Sequence, residues 1–160
     1  MSDWLTPVRA ALDARDSPVV AFFRDDDGGW ADERLFDLLD TFERHGVGVD
    51  VAVIPEALTV SLAAEIGRRR SQSLARFHQH GWAHRNHEST GRKCEFGPSR
   101  AISAMQEDVA AGWSRLEALL GDAVDPVFTP PWNRCVAALG PCLTATGLRV
   151  LSRDLSAGSI

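Results

Sequence analysis

The stretch Leu74-Ala75-Arg76-Phe77-His78-Gln79-His80-Gly81-Trp82-Ala83-His84 decides how this chain reads. Leu74 to Gln79 is a strand-like run that passes directly into His80, and His84 follows four residues later. Two imidazoles at that spacing can meet one cation from a single turn of backbone. Some fifty residues earlier Asp25-Asp26-Asp27 closes a second β-rich run, Pro18 to Phe23. A carboxylate from there completes a facial donor set that leaves coordination positions open, as a divalent-metal site requires. Both halves lie where strands give way to loops, the edge at which parallel α/β folds usually carry their sites.

Outward from these two segments, apolar runs alternate with helical patterns, which predicts an α/β fold with mostly parallel strands. Leu35, Leu38, Leu39 and Phe42 recur at helical spacing up to Gly46. Val47 to Ile54 reads as a second strand stopped by Pro55, and Ala57 to Arg70 as an amphipathic helix. Trp82 to Pro98 is polar and too long for a plain connector, so it is expected to be a loop over the site. The longest helix opens near Pro98 or Ser99, buries Ile102, Met105, Val109, Trp113, Leu116, Leu119 and Leu120, and closes at Gly121. Val127 to Thr129 is a fourth strand, Ala137 to Thr146 a further helix, and Leu148 to Leu151 a fifth strand before a frayed tail, Ser156 to Ile160.

With 160 residues, 44% of them hydrophobic, the chain can bury one core, and a single domain over 1–160 is expected. The net charge of -5 and the absence of a basic stripe argue against nucleic acid as a partner; Arg68-Arg69-Arg70 reads as the solvated end of a helix. Met1 to Ala11 has no apolar core of signal-peptide length and no stretch approaches a membrane span, so a cytoplasmic protein without a membrane partner is expected. Cys94, Cys135 and Cys142 make neither a CxxC pair nor an even set and read as reduced thiols. Cys135 and Cys142 are expected to pack in helices, and Cys94, more exposed, to be either a ligand or a loop residue.

Asp26-Asp27-Gly28 after a strand, His80-x-x-x-His84 after a later one and Thr129-Pro130-Pro131-Trp132 after a fourth resemble the first three motifs of the polysaccharide deacetylase (NodB homology, carbohydrate esterase family 4) superfamily. The resemblance runs from Phe22 to Trp132. More narrowly, Arg24 to Asp27, Gln79 to His84, Glu95-Phe96-Gly97 and Pro130 to Arg134 resemble a bacterial branch of polysaccharide-deacetylase-like proteins. It implies a distorted or incomplete (β/α) barrel with a metal, commonly zinc, on Asp27, His80 and His84. Asp26 would be the general base, and Trp132 a pocket wall whose neighbouring backbone N–H helps hold the oxyanion. The implied activity is metal-dependent removal of N-acetyl or similar acyl groups from a small-molecule or glycan substrate; the alternative is a degenerate metal-binding or partner-binding module.

Several residues admit more than one role. Asp25 shares a strand face with Asp27, so it is either a ligand or base itself or a bracing residue, with Arg24 as its partner. The third motif usually opens with an arginine that braces the catalytic aspartate; here Thr129 stands there, and Arg134 or Arg85 is the expected substitute. His87 either contacts substrate, supports a metal ligand from behind or is a solvated loop residue, and His78 is expected to be structural. A sugar-nucleotide transferase using Asp25 and Asp27 would need a glycine-rich phosphate loop that the sequence lacks. None of the five histidines follows His87, so the family's late histidine, the acid toward the leaving amine, has no counterpart in residues 1–160. The last barrel strands are expected to be missing with it, leaving a weak hydrolase at most.

Overall fold

The computed structural model describes residues 3–71 and 73–154. Five strands, β1 (Arg24–Gly28), β2 (Val49–Val53), β3 (Ala75–His80), β4 (Val124–Thr129) and β5 (Val150–Leu151), form one sheet in the order β1-β2-β3-β4-β5. Every adjacent pair is parallel. Consecutive parallel strands need crossovers, and α2 (Asp32–His45), α3 (Val60–Arg70), α4 (Ile102–Leu120) and α5 (Gly140–Thr146) supply them in turn. A first helix, α1 (Thr6–Asp13), precedes β1. The predicted α/β class with parallel strands is therefore what the chain adopts.

The two faces of the sheet differ. Val49, Val51, Val53, Ala75 and Phe77 pack under Leu35 and Leu39 of α2, Leu62 and Ile66 of α3, and Leu116 of α4. Phe128 continues this layer with Met105, Val109, Phe96 and Leu143. Strand residues one step out of phase point the other way, and there Arg24, Asp26, His78 and His80 gather. The sheet is also curled. Four strand spacings separate β1 from β5, roughly 19 Å in a flat sheet, yet the Arg24 guanidinium donates to Ser152 Oγ, just past β5, at 2.8 Å. That reach demands a barrel-like curvature, with the polar face on the inside.

Several expectations need correction. The run Pro18 to Phe23 is not a strand; β1 begins at Arg24, and the acidic triplet lies within it rather than beyond its end. Val20 and Phe22 are 96% and 74% exposed, so the apolar run lacks the cover a central strand would have. Helix α3 begins at Val60 instead of Ala57, because Thr59 accepts the Leu62 N–H and sets the start. Residues 137–139 are a 3-10 turn before α5, and Ile102 is 42% exposed at the first position of α4. Arg69 is buried: it pairs with Asp40 and Glu65 and lies over the Phe36 ring, so the arginine run is only partly solvated. Cys94 is buried rather than exposed, and Cys135 sits in an extended segment bridged to Phe96, not in a helix. The tail at 156–160 lies outside the described residues.

Candidate metal centre

The histidine pair owes its geometry to the end of β3 and the turn after it. His80, 1% exposed, is the last residue of the strand, and its Nδ1 lies 3.0 Å from the Thr129 carbonyl of β4. A carbonyl accepts only, so Nδ1 carries the proton and Nε2 presents its lone pair. Beyond it the chain turns through Gly81 at φ 57, where a Cβ would fall 2.2 Å from a Glu95 oxygen and 2.5 Å from Pro131 Cδ. No other residue fits. His84 is then held in a left-handed conformation at φ 55.

That strained turn is fixed from two sides. Glu95 is fully buried, and its carboxylate accepts the backbone N–H groups of Ala83 (2.8 Å), Trp82 (3.2 Å) and Arg85 (3.4 Å). Burial pushes the Glu95 carboxyl above its ordinary value, against the pull of those donors. Gln79, also fully buried, donates to the carbonyls of Gly81 (2.9 Å) and Val109 (3.1 Å). It reaches α4 where Gly112 leaves room, since a Cβ there would meet Gln79 Nε2 at 2.3 Å. The loop 82–98 is thus a tightly bonded structure whose buried carboxylate shapes the His84 turn.

The aspartate half arrives from β1. Asp27 adopts φ 69, uncommon for a non-glycine residue, and its Oδ1 stands 3.2 Å from His80 Nε2 and 3.1 Å from His84 Nε2. The same oxygen is buried and has no hydrogen-bond partner. A carboxylate oxygen facing an imidazole lone pair is repulsive unless something positive lies between them. Donors bonded at about 2.0–2.2 Å to one tetrahedral ion stand roughly 3.4 Å apart, so the spacing suits a shared cation. Among the described residues these three form the group of donors close enough to hold one. Its contact with His80 holds the Asp27 carboxyl below its ordinary value, against burial, and the neighbouring His84 acts in the same direction. Burial lowers His84, opposed by Asp27.

Asp26 lies beside this centre. Arg24 grips both its oxygens, Nε to Oδ1 at 2.8 Å and Nη2 to Oδ2 at 3.1 Å, and continues to Asn133 Oδ1 (2.5 Å) and Ser152. The bracing arginine is therefore Arg24. Arg85 pairs with Glu56, and Arg134 donates to the Lys93 carbonyl, so neither expected substitute serves. Arg24 binds Asp26 and not Asp25, whose carboxyl is raised by burial first and then by its two acidic neighbours. His78 contacts Thr129 Oγ1 at 2.8 Å and is pushed down to about 4, by burial above all. It is a neutral structural residue at ordinary pH. His87 is exposed and stands outside the donor group.

Trp132, at φ 55, brings its ring centroid 4.3 Å from that of His84. On another side Trp30 approaches the same imidazole at 4.6 Å, edge to face. Sequence reasoning assigned no role to Trp30, Glu95, Gln79 or Arg24 as the brace. Trp30 follows Asp27-Gly28-Gly29 directly, and that adjacency was the available signal.

No sequence family matches the chain, and no curated protein matches it. Solved structures do. IcaB from Ammonifex degensii superposes with a TM-score of 0.68 at 16% identity, over 81% of this chain and 57% of that one. A family 4 carbohydrate esterase from Streptomyces lividans in complex with acetate gives 0.58 at 17%, over 84% and 62%. Wild-type BA3943, a CE4 family pseudoenzyme from Bacillus anthracis, gives 0.61 at 13%, over 84% and 47%. The chain thus spans about half to three fifths of the length of these proteins. At such identities the likeness is one of architecture: the chain has the fold of the family 4 carbohydrate esterases.

Proposed function

We propose that this protein is a metal-dependent hydrolase that removes N-acetyl or similar acyl groups from a carbohydrate, with Asp27, His80 and His84 as ligands and Asp26 as general base. The observation that carries the reading is the buried, unpartnered Asp27 Oδ1 facing two imidazole nitrogens at 3.1–3.2 Å. Two imidazoles and one carboxylate suit zinc, and such an ion polarises a carbonyl and acidifies a bound water. The protein's own part is orientation and proton handling. Arg24 fixes the Asp26 plane through two bonds, and a carboxylate has further lone pairs with which to accept a proton. Thr129 O holds the His80 tautomer, Glu95 holds the His84 turn, and Trp132 walls the pocket beside His84. We place the activity in one domain over 1–160 and in the cytoplasm, where three free cysteines stay reduced.

A second reading has specific support. The B. anthracis neighbour is itself a pseudoenzyme. A metal-binding module without turnover is then what the site would be. Acetate release from an N-acetylated sugar and from an activated acetyl ester, with zinc and with chelator, separates the two. Chelator-sensitive release abolished by Asp26→Asn supports the hydrolase. Metal binding with no release from either substrate supports the module.

A further inference from the structure

We propose that Trp30 is a platform on which a pyranose ring of the substrate stacks, setting the glycan in a groove that leads to the metal centre. The ligand's identity rests on the hydrolase reading above. A cavity of about 420 Å³ runs along β1 and the start of α2, lined among others by Asp25, Asp27, Trp30, Arg34 and Leu38. Trp30 belongs to this groove and also touches His84, so it stands where the two meet.

Its setting is not that of a packing residue. Trp30 is 56% exposed and lies outside both core clusters. Its backbone N–H donates to the Asp27 carbonyl at 3.2 Å, and α2 starts two residues on, so the main chain is fixed there while the indole, set against the His84 ring, stays exposed. A large aromatic surface held ready beside a reactive centre is a recognition feature. A pyranose has an apolar C–H face and a hydroxyl rim. The indole suits the first, and Asp25 and Arg34, an acceptor and a donor on the same groove, suit the second.

The test uses the zinc-loaded chain and the β-1,4-linked glucosamine trimer, which has no acyl group left to cleave, so calorimetry reads binding alone. Trp30→Ala should weaken binding about tenfold, and Trp30→Phe, which keeps a stacking face, by less than about threefold. Thermal unfolding of each variant verifies the fold. Equal affinity of Trp30→Ala and wild type, a Phe variant as weak as the Ala variant, or no binding by wild type would each overturn the platform. Acetate release from the N-acetylated trimer is measured separately. No release alongside Trp30-dependent binding defeats the hydrolase reading and leaves the platform standing; release alongside Trp30-independent binding does the reverse.

Discussion

The two halves of the centre are built in opposite ways. The histidine half is local: His80 and His84 sit in one turn whose shape is set by Gln79, Gly81 and Glu95, all within fifteen residues of His84. The aspartate half is held from afar, since Arg24 reaches Asn133 and Ser152, 109 and 128 residues along the chain, to steady Asp26. A site can therefore be half a short motif and half a consequence of sheet curvature. Damage should look different in two places: loss of fold and metal at the histidine turn, loss of rate at the Arg24–Asp26 pair.

The largest effect should follow Glu95→Ala. Three backbone N–H groups at the His84 turn would lose their acceptor, and the buried space would stand open, costing about 4 kcal/mol of stability. Chemical denaturation of the variant measures this; a loss under 1 kcal/mol would mean that the turn holds itself. Gly81→Ala comes next, at about 3 kcal/mol, combining left-handed backbone strain with overlap on Glu95 and Pro131. If the alanine variant unfolds at the same denaturant concentration as wild type, the close approach carries no energy.

On the other side, Arg24→Ala should reduce any hydrolytic rate about a hundredfold, near 2.7 kcal/mol of barrier, while zinc content stays close to wild type. Loss of metal in this variant would show that the halves are coupled rather than separate. The smallest effect belongs to Arg85→Ala, which removes an exposed pair with Glu56 and should change stability by less than about 0.5 kcal/mol. A large loss of activity there would return Arg85 to the role that Arg24 now fills.

The same contrast explains what the sequence revealed. Period and spacing are local properties, so the helices closing at Gly46, Gly121 and Gly147 and the pairing of a strand end with His80-x-x-x-His84 were readable. Asp25-Asp26-Asp27 was readable as chemistry but not as position, because burial and not composition decides which residues of an edge are strand. Arg24 next to three aspartates offered no sign of its choice between Asp25 and Asp26. That choice depends on Ser152 arriving through the curl of the sheet. The role of Glu95 was hidden for a related reason: a carboxylate in a polar loop looks solvated until the loop is seen to close around it.

The central claim is that Asp27, His80 and His84 form one metal site, and metal analysis of the purified, zinc-equilibrated chain tests it most directly. The account predicts about one zinc per chain in wild type and near none in a His80→Ala, His84→Ala double variant that remains folded by circular dichroism. Equal zinc in the two proteins would contradict it.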